Sequence, residues 1–262
     1  MSQLREQAIN AITIGNKVIN VHIIRMPYYS LNIMLNLIIA EAALETIPEP
    51  VWKHPTIIKD ALKRGKDPQE VLLDRSYHHK AMEKMDNSWK RGRPDIAHFC
   101  LLEALGSPLN KEKKLVTFLH SITDLVFDFD PSIRLPRNCV RFKGLIEQAI
   151  KFGKVPLKGK SLISVTERRL EELVEDVNPT FTIALSTLGR KENIEEVASI
   201  LNGEEKPLLL IGGFPSGHFS KKVVSLVDEV FCVYPETLDA GLITGRILHE
   251  FEKIIDLWNL SS

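Results

Sequence analysis

Arginine, proline and aspartate follow one another at Arg93-Pro94-Asp95, just ahead of a run with helical spacing. Pro94 suits the first position of a helix, where its missing N–H costs nothing. Asp95 then falls in the first turn, where the positive helix end favours a carboxylate. Ile96, Phe99, Cys100 and residues 102–105 recur at the interval of one apolar face. Gly106-Ser107-Pro108 closes the helix, with glycine where a left-handed residue is wanted and proline forbidding continuation. The helix therefore presents Arg91, Arg93 and Asp95 at its positive end, which suits an anion or a polarised base. The plainer alternative is a helix-end charge, Asp95 paired with Arg91 or Arg93, of a kind that contributes little at a surface.

A second constellation is Arg134, Arg137 and Arg141. Arg137 and Arg141 are four apart and share a face on a helix, while Arg134 lies just before the start marked by Pro136. Three arginines without interleaved acids suit a phosphate track; three separate surface ion pairs are the alternative. A third is Gly212-Gly213-Phe214-Pro215-Ser216-Gly217, which follows an apolar run at 208–211. Glycines there let the backbone come close to a ligand. The stretch is neither a dinucleotide fingerprint nor a phosphate loop, and a generic tight turn fits it equally. His78 and His79 are adjacent and so point in different directions; no second pair supports a metal site.

The elements that position these groups come from a chain of 262 residues, 44% hydrophobic and 26% charged, the composition of an ordinary soluble globular protein. That length gives one large domain or two small ones. Lys+Arg and Asp+Glu are both 34, so any nucleic-acid site must come from local clustering. Cys100, Cys139 and Cys232 are isolated and lack metal spacing, which points to free core thiols in a reducing, cytoplasmic setting. No apolar run reaches the ~18 residues a membrane span needs, and no signal peptide is evident.

Residues 12–19 alternate around Gly15-Asn16 and fit a β-hairpin; an extended start ahead of Met34 is the alternative, and 1–33 are expected to be peripheral. Residues 35–40 read as a strand buried in a parallel sheet. Lys63-Arg64-Gly65-Lys66 ends a helix-loop segment and reads as a solvated basic face. Residues 114–120 and 125–130 form an antiparallel pair, and 145–149 a helix. The basic loop 153–160 separates two halves, followed by a strand at 161–165 and a helix at 166–177 with a solvated acidic face. Strands at 181–185, 208–211 and 231–233 alternate with helices at 193–201 and 242–257. That rhythm predicts a parallel α/β sheet with the site at the strand C-termini.

The segment 91–110, closed by Ser107-Pro108-Leu109-Asn110, resembles the central signature of the methyltransferases that modify a pseudouridine in small-subunit rRNA, members of the knotted SPOUT class. The resemblance runs from about residue 37 to about 257 and includes 74–82, 185–189, 212–217 and 233–238. It implies a C-terminal trefoil knot added to a sheet with helices on both faces and an antiparallel strand pair, with 34–262 as the methyltransferase domain and 1–33 as an extension. It implies S-adenosyl-L-methionine held by Thr187, Gly212, Gly217, Val233, Tyr234, Pro235, Glu236, Thr237 and Leu238. By the same resemblance Asp95 takes or orients the proton of the base, Arg93 fixes Asp95, and both touch RNA, whose backbone Arg134, Arg137 and Arg141 hold. Small-subunit rRNA is then the substrate, a homodimer the working form and assembly proteins further partners, with no metal and no membrane. A non-catalytic rRNA-binding assembly factor is the competing function, and a small-molecule α/β enzyme a third.

Overall fold

The computed structural model describes residues 10–14, 17–21 and 33–257. The chain divides into two units, Met1–Leu31 and Asn32–Ser262. In the first, β1 (Asn10–Ile14) pairs antiparallel with β2 (Lys17–Val21), Ile14 opposite Lys17. These are the two strands of the expected hairpin; the Gly15-Asn16 turn lies outside the described residues.

The second unit opens with β3 (Leu35–Ala42), α1 (Pro55–Arg64), α2 (Arg75–Met82), α3 (Pro94–Gly106) and α4 (Pro108–Lys111). It continues through β4 (Leu115–Ser121), β5 (Leu125–Phe129), α5 (Cys139–Phe152), β6 (Lys154–Val155), β7 (Ile163–Glu167) and α6 (Leu170–Val177). It ends with β8 (Phe181–Lys191), α7 (Ile194–Asn202), β9 (Pro207–Gly212), α8 (Lys221–Val224), β10 (Glu229–Cys232) and α9 (Ala240–Ile254). One sheet carries the order β10-β8-β9-β3-β4-β5-β7-β6. The strands from β10 to β4 run parallel, and β5, β7 and β6 are antiparallel.

The central strand is apolar but for Asn36 and Glu41, because both its faces are covered. Successive side chains of a strand point to opposite faces, so Leu35, Leu37 and Ile39 join one core and Ile38 and Ala40 the other. β9 divides likewise, Leu209 and Ile211 against Leu208 and Leu210. The first core is closed by Leu101 of α3, Phe142 of α5, Leu201 of α7 and Phe251 of α9. The second is closed by Leu170 and Leu173 of α6 and Val223 of α8. Each such fully buried side chain stabilises the fold by about 1.5–3 kcal/mol.

Several local expectations change. Gly106 is the last helical residue and not left-handed; the helix stops because Pro108 drives Ser107 to extended backbone, φ −64° and ψ 152°. Ser107 then caps α4, accepting from the Asn110 amide at 3.1 Å. Phe99 faces away from the core and is 51% exposed. Thr166 and Glu167 belong to β7, and the helix starts only at Leu170. Arg64 and Lys66 are no solvated face, since both hold the buried carboxylate of Glu147 at 2.6 Å. The Leu72 amide donates to that carboxylate as well, which ties α5 to the segment after α1.

Candidate functional site

The C-terminal ends of the parallel strands surround a cavity of about 400 Å³. Its wall is assembled from three loops far apart in sequence. Leu185, Ser186 and Thr187 come from within β8, Gly212 from the end of β9 and Gly217 from the loop after it, and Val233, Tyr234, Glu236, Thr237 and Leu238 from the loop after β10. Every residue expected there lines the cavity except Pro235. Glu236, whose orientation the sequence left open, is in the wall. Phe214, His218 and Asp239 line it too and were not foreseen. Asp239 was legible only as a helix cap: its carboxylate accepts from the Gly241 and Leu242 amides at 2.9 and 3.2 Å and so starts α9.

The first loop exists because β8 leaves its ladder. Val230 of β10 pairs with Ala184, but the next residue, Phe231, pairs with Arg190. Residues 185–189 are thereby unpaired on that side, and Leu185, Ser186 and Thr187 among them line the cavity. At Gly189 the two chains come so close that a Cβ would sit 2.5 Å from the Val230 carbonyl oxygen. No side chain fits at that crossing.

The glycine loop is held equally tightly. Gly217 has φ +85°, a region L side chains rarely adopt, and a Cβ there would collide with the Trp89 indole. Ser216 Oγ donates to the Trp89 carbonyl at 3.0 Å. Lys90 is buried, donates to the His218 carbonyl at 2.9 Å and pairs with Glu41 at 2.5 Å. Its ammonium lies 4.0 Å from the centre of the Phe214 ring. Glu41, at φ 49°, also accepts from the Ser220 amide. The segment that enters α3 therefore clasps the glycine loop.

That segment also delivers Arg93 to the cavity wall. Arg93 is the N-cap residue of α3, and its amide donates to the Ala43 carbonyl at 3.0 Å. Its guanidinium grips Asp95 with two hydrogen bonds, Nε to Oδ1 at 2.8 Å and a terminal nitrogen to Oδ2 at 2.7 Å. The fork geometry fixes both side chains. These bonds hold Arg93 above ordinary arginine basicity against partial burial, with the charges of Asp95, Asp239 and Asp74 adding to the effect. About a third of each side chain is still open, 39% for Arg93 and 34% for Asp95. Asp95 itself lies outside the cavity wall. Arg91 is not part of this pair; it donates to the buried Glu45 at 2.7 and 2.5 Å and to the Asp86 carbonyl at 3.4 Å.

The second constellation lies elsewhere. Asn138 caps α5 by accepting from the Arg141 amide at 3.1 Å, so Arg137 precedes the helix and does not share its face with Arg141. Arg134, Arg137 and Arg141 are all exposed, and none makes an ion pair among the described residues. Nearby Lys143 differs, being paired with Asp74 at 2.6 Å. Burial alone would raise the Asp74 pKa, yet the bonds from Lys143 and Ser76 prevail and hold it below the ordinary value. His78 is buried and bonded to the Asp74 amide and to Asp60, and no metal-binding cluster exists among the described residues.

A site of this make-up has known counterparts. The EMG1/NEP1 methyltransferase family model matches residues 37–252. A Thermococcus onnurineus protein named ribosomal RNA small subunit methyltransferase Nep1 is 39% identical over 219 residues, covering 84% of this chain and 98% of its own. One of the same name from Saccharolobus solfataricus is 39% identical over 222 residues, with 84% and 98% covered. The crystal structure of Archaeoglobus fulgidus Nep1 bound to S-adenosylhomocysteine matches with a TM-score of 0.75 at 29% identity, covering 85% of this chain and 99% of that one. The chain belongs to the EMG1/NEP1 methyltransferase family.

Proposed function

We propose that residues 34–262 transfer a methyl group from S-adenosylmethionine to the free ring nitrogen of one pseudouridine in small-subunit rRNA, during small-subunit biogenesis. The observation that carries this reading is that Arg93 belongs at once to the cavity wall and to the Arg93–Asp95 fork. A cofactor site and a proton-handling pair thus share a boundary. The relatives named for rRNA small-subunit methylation and the S-adenosylhomocysteine of the Archaeoglobus fulgidus protein support the choice of substrate and cofactor.

The cavity fits the cofactor because Thr187, Gly212, Gly217 and the loop after β10 meet around a space of about 400 Å³. Bound there, S-adenosylmethionine supplies a methyl group already activated on a sulfonium. What remains for the protein is alignment and removal of a proton. Asp95 takes or orients the N–H proton of the base, and Arg93 holds Asp95 in place and balances the charge that develops on the ring. Arg134, Arg137 and Arg141 hold the RNA backbone, each free to take a phosphate. The target base leaves its stack to reach the site, so a loop nucleotide is the substrate that costs least.

The same reading carries a homodimer and a trefoil knot. Phe99 and Leu242 are 51% and 52% exposed on the adjoining helices α3 and α9, an apolar patch suited to a second copy. The knot needs three loops gathered at one end of the sheet, and residues 185–189, 212–217 and 233–238 are so gathered. Cytoplasmic action beside ribosomal assembly proteins completes it; no helix among the described residues is long and apolar enough to cross a membrane.

The test is mass spectrometry of paired small-subunit rRNA hairpins, one with pseudouridine and one with uridine at the loop position, after incubation with S-adenosylmethionine. One methyl gained on the pseudouridine hairpin alone is the expected result. Tight binding of both with no methyl on either would make the chain an assembly factor and leave Asp95 a helix-end charge.

A further inference from the structure

His98 makes no ion pair among the described residues, yet it joins α3, which carries Asp95, to the segment that carries Arg134 and Arg137. It lies on α3, three residues beyond Asp95, and is 1% exposed. Its Nε2 is 2.7 Å from the carbonyl oxygen of Pro136, the residue before Arg137. Its ring stacks on Phe142, next to Arg141 on α5, with centroids 4.3 Å apart and planes 19° from parallel. Its Nδ1 is buried without a partner.

A carbonyl can only accept, so Nε2 carries the hydrogen, and the neutral ring leaves Nδ1 with a lone pair and no orphaned N–H. Burial works in the same direction, holding the ring below ordinary histidine basicity against the Pro136 bond that opposes it. The far end of the arginine segment is pinned as well, since Asn110 Nδ2 donates to the Pro131 carbonyl at 2.9 Å. Residues 131–138 have no helix or strand of their own. Ile133 is buried in the core and its amide donates to the Asp130 carbonyl, and these two side chains, both carried by the α3–α4 pair, hold the segment at Pro131 and Pro136.

We propose that His98 is a positioning residue, whose Nε2–H bond to the Pro136 carbonyl holds Arg134 and Arg137 in the pose that receives the RNA backbone. This rests on the RNA reading above. The Pro136 end, held by one neutral side-chain hydrogen bond, loses its pose when the donor is removed, while the cofactor loops, which His98 does not touch, keep theirs.

The test measures methylation of the pseudouridine hairpin and binding of S-adenosylhomocysteine for His98→Phe and His98→Gln. Phenylalanine keeps the stack on Phe142 and removes the donor; glutamine returns a donor at the Nε2 position. In His98→Phe, KM for the hairpin should rise about fivefold to tenfold, the size expected of one lost neutral hydrogen bond. The kcat at saturating hairpin and the S-adenosylhomocysteine Kd should stay at wild-type values, and His98→Gln should restore KM. If the phenylalanine variant does not fold, His98→Asn, whose donor falls short of Pro136, is read in the same way. Wild-type KM in the donor-less variant would overturn the proposal. So would a parallel loss of RNA and cofactor affinity, or no rescue by glutamine. An Arg134→Ala/Arg137→Ala double variant separates the two layers. If it binds the hairpin like wild type, the RNA reading fails; if it binds weakly while His98→Phe does not, only the role of His98 fails.

Discussion

The two halves of the site are made from different materials. On the cofactor side the loops are packed tightly, with Gly189 and Gly217 filling positions where a Cβ would strike Val230 or Trp89. On the proposed RNA side stand the exposed guanidiniums of Arg134, Arg137 and Arg141, the first two carried on a segment with no regular structure. One half gains specificity from a shape that admits no side chain. The other gains affinity from charge left unpaired, a long-range attraction that salt screens. The cofactor half should therefore tolerate salt and resist substitution poorly, and the RNA half the reverse.

The contrast is tested most severely at the pair that joins the halves. Asp95→Asn should lower kcat by about 10²–10⁴, the span typical of a lost general base, with both ligands still bound. Methylation near the wild-type rate in a folded variant would remove Asp95 from the chemistry. Next in size is Gly217→Val, which combines a left-handed backbone with a collision at the Trp89 indole. Cofactor affinity measured by calorimetry should fall about 100-fold, since strain and overpacking together cost roughly 2–4 kcal/mol, while hairpin binding persists.

Between these and the surface lies Glu147→Ala, which leaves Arg64 and Lys66 beside an emptied site. Chemical denaturation should show a loss of about 3–5 kcal/mol, as breaking a buried ion pair does. A smaller loss would mean the two cations find water. Arg137→Ala acts on the RNA half alone. Hairpin affinity should fall several-fold and its salt dependence should flatten by about one phosphate contact, with cofactor affinity unmoved. An unchanged salt slope would remove Arg137 from the track.

The smallest effect is one of pH. His78, His98 and His120 are buried, and burial holds each below the ordinary value of 6.5. The unfolded chain then binds protons more readily than the folded one, so stability is complete above pH 6.5 and declines as pH falls through the lower folded values. Melting temperatures should drop on the acid side of 6.5, and less steeply in His120→Gln. An identical slope in that variant would remove His120 from the decline and leave it to His78, His98 and the carboxylates.

What the sequence disclosed follows the same division. Period and punctuation located β3, the start of α3 at Pro94 and the glycine loop, because those signals are local. Partners remote in sequence were invisible: Glu45 taking Arg91, Glu147 taking Arg64 and Lys66, and Val230 lying against Gly189. Arg137 was misplaced onto a helix because Pro136 outweighed Asn138, the actual cap. Phe99 was placed in the core because apolar spacing does not distinguish a buried face from an uncovered one. The three loops of the cavity were found by resemblance; composition and spacing alone left them as ordinary turns.

The position of β3 in the sheet also has a consequence in time. It is the first strand of its sheet to be synthesised, and one neighbour, β9, begins about 165 residues after it ends. At roughly 5–20 residues per second, translation leaves one edge of this mostly apolar strand unpaired for about 8–33 seconds. During that interval it offers open backbone to any other extended chain, the condition under which strands join the wrong partner. The most deeply buried strand of the finished protein is thus the most exposed one of the nascent chain, and growth conditions that slow elongation should lower the soluble yield.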